Sequence, residues 1–276
     1  MPYILMEAMP GGRLWGGGRA DFIPDEHKRK VYTQIADILL ELYTNPFDNI
    51  GMLFPDADDE QDVRIGPIFD HHHRLQPYGP CSTSLEFYRT RSEHLNLHRR
   101  LSNPSLSAQS NQVISPRDEP AAILQLVDPN YNEGPFYLTH PDFQISNFLF
   151  DNDYNITALL DWSGCQSLPL ESFANPPSRI IPDADEFLDG WSATGLLSDD
   201  MRIMWGERRR LFLKIMEERE VARSNTSAIS RMMKSPRSYF AALLDSEGIL
   251  GIPRSLPKKE FDQYCLEETI DAGRRM

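Results

Sequence analysis

Asp142, Asn147 and Asp161 combine two carboxylates and one amide within a short stretch of the chain. Magnesium is commonly held by one or two carboxylates, with amide oxygens and the phosphates of a substrate completing its ligands. A carboxylate that does not bind the metal can accept the proton of an attacking hydroxyl. The residue types therefore predict metal-assisted phosphate chemistry on a hydroxyl.

Short apolar runs separated by turn formers surround these residues, as is typical of short strands joined by tight connections. A hairpin of the second and third runs would bring Asn147 near Asp161, with Asp142 on the loop before it. We expect the two carboxylates and the amide to converge on one rim. The three predicted strands are 136–138, 148–150 and 156–160.

The order His140, Asp142, Asn147 and then Asp161 has the spacing of the kinase catalytic loop and metal aspartate. With Trp162 after the second aspartate, the stretch resembles the aminoglycoside phosphotransferase family, also called the phosphotransferase enzyme family. The resemblance implies a protein-kinase-like fold, ATP as co-substrate and Mg²⁺ as cofactor. It implies that Asp142 is the catalytic base, that Asn147 and Asp161 bind Mg²⁺, and that His140 is structural and braces the loop.

Two positions depart from the family pattern. Pro141 stands where the family often has glycine, and Ser163 where it often has glutamate. Proline removes a backbone donor and restricts φ, so the loop is expected to be shaped differently. The alternative that the three polar residues are ordinary turn and strand-end residues explains any one of them, but not the ordered set.

The N-terminal residues Tyr3 to Met6 form an apolar, β-prone run. The resemblance implies that residues 1–12 are a hinge strand remnant, with the backbone of Glu7 and Ala8 holding the adenine. Residues 13–276 would then be the large lobe, without the N-terminal ATP lobe, since no Gly-rich loop precedes the run. The glycines at 11, 12 and 16–18 lack the ending of a phosphate-binding loop and predict a flexible connector.

The fold class expected for the chain is α+β, a mostly helical protein-kinase-like C-terminal lobe with a small β-hairpin at the catalytic edge. Helical periodicity, capping residues and proline positions support the helices. A Ser- and Pro-containing stretch at about 101–118 predicts a flexible insertion. The predicted helices are 24–44, 84–100, 118–127, 198–221, 235–244 and 258–270.

A proline-containing stretch, 166–177, follows Asp161 and predicts a rigid loop that lines the acceptor site. Within it, Glu171 could bind a cationic group of a substrate. The competing interpretation is an ordinary surface glutamate.

The net charge of −13 argues against general binding of nucleic acid or of anionic membranes. It is compatible with a solvated acidic face or with attraction of a cationic substrate. The three cysteines are far apart, which favours a reducing compartment, and we expect a cytoplasmic protein.

The resulting hypothesis is ATP- and Mg²⁺-dependent phosphoryl transfer to the hydroxyl of a small molecule. The alternative is a non-catalytic kinase-like binding module, or a truncated fragment that lacks the ATP-binding lobe. A metal-dependent hydrolase ranks last because the stretch lacks a histidine-rich metal cage. The acceptor, the activity of this chain by itself and its oligomeric state stay open.

Overall fold

The structure, a computed structural model, describes residues 7–14, 23–56, 62–69, 76–102, 123–124, 126–176, 199–235, 237–238 and 241. The described chain combines helices and strands, which confirms the predicted α+β class. The helices are α1 (Asp25–Tyr43), α2 (Ser84–Ser102), α3 (Leu170–Phe173), α4 (Asp199–Ser224) and α5 (Ala228–Lys234). The strands are β1 (Pro46–Phe47), β2 (Gly51–Pro55), β3 (Val63–Gly66), β4 (Phe136–Thr139), β5 (Phe148–Phe150), β6 (Ile156–Leu159) and β7 (Gln166–Leu168).

The chain divides into two compact units, each built from several stretches of sequence. The first unit contains Met1–Asn45, His140–Cys165 and Pro176–Met233. The second contains Pro46–Thr139, Gln166–Asn175 and Lys234–Met276.

The first unit is built on the packing of α1 against α4. Val31 and Ile35 recur at helical spacing on α1 and are fully buried. The ring of Tyr32 meets Phe212 edge-on, with centroids 5.9 Å apart. Among the described residues, three ion pairs also join the helices, but exposed pairs of this kind add about 1 kcal/mol or less each, so apolar burial dominates this contact.

The second unit contains a five-stranded antiparallel sheet with the strand order β1-β4-β7-β2-β3. The prediction of a rigid loop at 166–177 is wrong, because β7 and α3 occupy most of it. β7 is a short central strand, and its Ser167 and Leu168 are buried. Its three residues are too few to show the alternation of apolar and polar residues by which a strand is predicted from sequence. Pro169 then precedes the first turn of α3.

The helices predicted at 24–44, 84–100 and 198–221 are confirmed as α1, α2 and α4. The helices predicted at 118–127 and 235–244 are described only in part. The structure describes the interior positions 123–124, 126, 237–238 and 241, and all of these are helical. The helix at 258–270, most of the 101–118 insertion and residues 1–6 lie outside the described residues. The division into 1–12 and 13–276 therefore stays a prediction. In the described part of the chain, no helix is both long and apolar enough to cross a membrane.

A buried carboxylate on α4 caps the N-terminal end of α5. Glu220 is fully buried, and its two oxygens accept hydrogen bonds from the backbone N–H groups of Ile229 (2.8 Å) and Ser230 (2.9 Å). These N–H groups belong to the first turn of α5, where a helix has no backbone acceptors of its own. Glu220 therefore caps α5 from a neighbouring helix.

Replacing Glu220 with alanine should lower the free energy of unfolding by about 2–4 kcal/mol, because two buried N–H groups lose their acceptors. Denaturant unfolding at constant pH measures this change. Glu207→Ala removes an exposed glutamate from the same helix and should change stability by about 0.5 kcal/mol or less. Equal losses in the two variants would contradict the capping role.

Candidate active site

The hairpin predicted from the sequence is present in the first unit. β5 and β6 pair antiparallel, with Phe148 opposite Leu159. Beyond this pair, the N–H group of Leu160 donates to the carbonyl of Asn147 at 2.8 Å. Asn147 and Asp161 thus lie at the same open end of the hairpin.

Asp142 and Asn147 are held together by hydrogen bonds. The side-chain amide of Asn147 donates to the carboxylate Oδ2 of Asp142 (3.0 Å) and to the Asp142 main-chain carbonyl (2.8 Å). The side-chain amide of Gln144 donates to the same Oδ2. Asn147 is only 7 % exposed, so its polar group needs these partners. The carboxylate of Asp142 is therefore oriented by two donors on one oxygen.

His140 joins the loop to the end of β6. Its Nδ1 accepts the backbone N–H of Asp142 at 3.1 Å, so the ring carries its proton on Nε2. Nε2 then donates to the carbonyl of Leu160 at 2.8 Å. The edge of the Trp162 ring packs against the imidazole, with centroids 4.7 Å apart. These contacts join the loop to the end of β6, and the bracing role that the resemblance implies for His140 stays a prediction.

Asp161 has a left-handed backbone conformation with φ of +64°. Aspartate and asparagine occupy this region more often than other residues with a side chain. The carboxylate is exposed and accepts no hydrogen bond from the described residues. Both of its oxygens are open to a ligand.

Side chains of α1 hold the turn between β5 and β6. Gln34 accepts the N–H of Ile156 (2.7 Å) and donates to the carbonyl of Tyr154 (3.0 Å). Lys30 donates to the carbonyl of Asp153 at 2.7 Å. Sequence reasoning missed Gln34 and Gln144. Gln144 could have been suspected from its place inside the loop motif, whereas Gln34 has no local signal.

The segment 10–12 adds to the hairpin at β5. Gly12 and Phe150 exchange two backbone hydrogen bonds of 2.8 Å. The prediction of a flexible connector is therefore wrong for Gly11 and Gly12, because backbone hydrogen bonds between Gly12 and Phe150 hold this segment against β5. Glu7 and Ala8, predicted to hold adenine, precede this segment and are exposed.

The oxygens at the rim suit magnesium. The carbonyl oxygen of the Asn147 side chain accepts no hydrogen bond from the described residues, since its contacts are made by the amide nitrogen. The described residues contain no cluster of three His, Cys, Asp or Glu side chains that could hold a metal alone. Magnesium needs no such cage, because waters and substrate phosphates complete its coordination. Asn147 and Asp161 therefore fit the role of magnesium ligands.

Glu171 is fully buried on α3 in the second unit, so the interpretation as a surface glutamate is wrong. The reason is that the short helix is buried on all sides, with Leu170 and Phe173 also inaccessible. Its Oε1 accepts the N–H of Asp128 at 2.7 Å, while Oε2 has no partner among the described residues. Burial raises the pKa of Glu171 to about 7. Its predicted contact with a substrate stays a prediction.

The raised pKa of Glu171 should make stability depend on pH. The folded state binds a proton more tightly than the unfolded state, whose pKa is near 4.5. Stability is therefore lost as pH rises from about 4.5 to about 7, by at most about 3 kcal/mol. Glu171→Gln keeps an acceptor for Asp128 and should remove this loss, making the variant more stable than the wild type at pH 8.

Denaturant unfolding at pH 5 and pH 8 measures the difference between the two proteins. Glu93→Gln changes an exposed glutamate on α2 and should leave the pH dependence as in the wild type. A Glu171→Gln protein that loses as much stability between these pH values as the wild type would contradict the assignment.

One family of known proteins matches the chain. The profile of the phosphotransferase enzyme family (APH) matches residues 1–170, more than half of the 276-residue chain. The match includes His140, Asp142, Asn147 and Asp161, and ends just before Glu171. No curated protein and no solved structure matches the chain significantly. The chain therefore belongs to the phosphotransferase enzyme family.

Proposed function

We propose that this chain transfers the terminal phosphoryl group of ATP to the hydroxyl of a small molecule, on a protein-kinase-like fold. The observation that carries the proposal is the hydrogen-bonded pair of Asp142 and Asn147 at the rim of the hairpin that ends before Asp161. Family membership supports phosphoryl transfer in general.

Asp142 is the proposed base. Two amide donors hold its Oδ2, which leaves Oδ1 for the proton of the acceptor hydroxyl. As this proton moves to Asp142, the acceptor oxygen bonds to the terminal phosphorus of ATP and the bond to the bridging oxygen breaks, releasing ADP. Positioning of the nucleophile accounts for much of the rate enhancement in such transfers.

Asn147 and Asp161 are the proposed ligands of Mg²⁺, and the backbone of Glu7 and Ala8 is the proposed contact of the adenine. When bound, Mg²⁺ supplies positive charge that neutralises the phosphate oxygens during transfer. The side-chain nitrogen of Asn147 donates to Asp142, and its carbonyl oxygen would be the atom it offers to Mg²⁺, so this one residue would tie the base to the metal site.

Calorimetric titration with ATP and Mg²⁺ should show saturable binding that Asp161→Asn weakens by about tenfold or more, because a charged ligand is lost. Asparagine is the better substitution here, since alanine would add about 1–2 kcal/mol of strain at the left-handed position. Asp153→Asn makes the same charge change in the exposed turn of the hairpin and should bind as the wild type does. A folded wild-type chain that binds no MgATP would instead favour a non-catalytic module.

Asp142→Asn should lower kcat by about 10²–10⁴-fold without changing the affinity for MgATP, because the base is lost while an acceptor for Gln144 and Asn147 remains. The assay follows transfer of labelled phosphate from ATP to a panel of amino alcohols, sugars and aminoglycosides, and to water. Asp153→Asn serves again as the control. An unchanged kcat in Asp142→Asn would show that another group is the base.

A further inference from the structure

Residues 10–12, which we call the strap, are bonded to both strands of the hairpin. Gly12 and Phe150 exchange two backbone hydrogen bonds of 2.8 Å on the β5 side. The hydroxyl of Thr157 on β6 donates to the carbonyl of Pro10 at 2.6 Å. The strap is therefore held at two successive points rather than by a single contact.

Close packing at Gly11 makes this attachment depend on glycine. Gly11 has φ of +103°, a conformation that residues with a side chain rarely adopt. A Cβ atom there would lie 2.5 Å from the hydroxyl oxygen of Thr157 and 2.9 Å from the carbonyl oxygen of Phe150. With any larger residue, the strap or the hairpin atoms against it must shift, and the carbonyl oxygen of Phe150 belongs to the backbone of β5. At Gly12, by contrast, a Cβ atom would meet nothing within 4 Å.

The strap connects two parts of the proposed nucleotide site. On its N-terminal side lie Glu7 and Ala8, the proposed adenine contact. It is paired with Phe150, at the far end of the strand that starts directly after Asn147. Thr157 lies on the strand that ends shortly before Asp161. The strap thus links the segment of the proposed adenine contact, through hydrogen bonds, to both strands that lead to the proposed metal ligands.

We infer that the strap is a positioning element for nucleotide binding, with Gly11 and Thr157 as positioning residues that set the adenine-holding backbone relative to the metal-holding hairpin. This inference rests on the proposed function. A strap that is already bonded to the hairpin before ATP binds lowers the entropic cost of ordering the site on binding. If the strap detaches, only the attached fraction of molecules binds well, and the apparent Kd rises in inverse proportion to that fraction.

A purely structural strap would give a different result. Its loss would lower stability, yet molecules that remain folded would bind MgATP with the wild-type Kd. Affinity at a temperature where all variants are folded therefore separates the two roles.

The experiment compares Gly11→Ala with Gly12→Ala by calorimetric titration with ATP and Mg²⁺, after thermal melting has shown that both are folded. Gly11→Ala should raise the Kd by about tenfold or more, since the added Cβ and the strained φ weaken the attachment of the strap to the hairpin. Gly12→Ala should stay within about twofold of the wild type. Hydrogen exchange at the Phe150 amide should be faster in Gly11→Ala and unchanged in Gly12→Ala, which shows directly that the strap has detached.

Thr157 provides a second test that does not disturb the backbone. Thr157→Val keeps the shape of the side chain but loses the donor to Pro10, and should raise the Kd by about threefold to tenfold. Thr157→Ser keeps the hydroxyl and should restore the wild-type value. If Gly11→Ala exchanges faster at Phe150 but keeps the wild-type Kd, the inference is overturned and the proposed function stands. If the wild type itself binds no MgATP, the proposed function fails and the inference falls with it.

Discussion

The side chain of Asn147 is the link on which the candidate site depends. Its amide donates to the carboxylate and to the main-chain carbonyl of Asp142, and its own backbone carbonyl accepts the N–H of Leu160 across the hairpin. One buried residue therefore sets both the closure of the loop and the register of the strands. A buried donor without a partner costs more free energy than its hydrogen bond contributes, so alternative arrangements of this loop are disfavoured.

The hairpin itself is held by elements that carry no chemistry. Gln34 on α1 binds the turn through both ends of its amide, and the strap is bonded to β5 and β6. α1 is in turn anchored by its apolar packing against α4. A site whose geometry is held by a helix and a strand edge can place oxygens more accurately than one on a free loop.

Two buried glutamates illustrate how far environment decides the behaviour of one residue type. Both oxygens of Glu220 accept backbone N–H groups at the start of α5, which satisfies the carboxylate. Glu171 has one such partner, and its second oxygen has none among the described residues. Burial without full hydrogen bonding disfavours the charged form, and burial raises the pKa of Glu171.

The hairpin, the long helices and the order of Asp142, Asn147 and Asp161 can all be predicted from the sequence, because short apolar runs, turn formers and helical periodicity are local signals. The sequence could not show β7, whose identity as a strand comes from its neighbours in the sheet. Nor could it show that Glu171 is buried. These points, and the pairing of the Gly11–Gly12 segment with the hairpin, follow from contacts in the folded chain. Such contacts join residues far apart in the chain, and no local pattern encodes which distant backbone edge or apolar face a segment will meet.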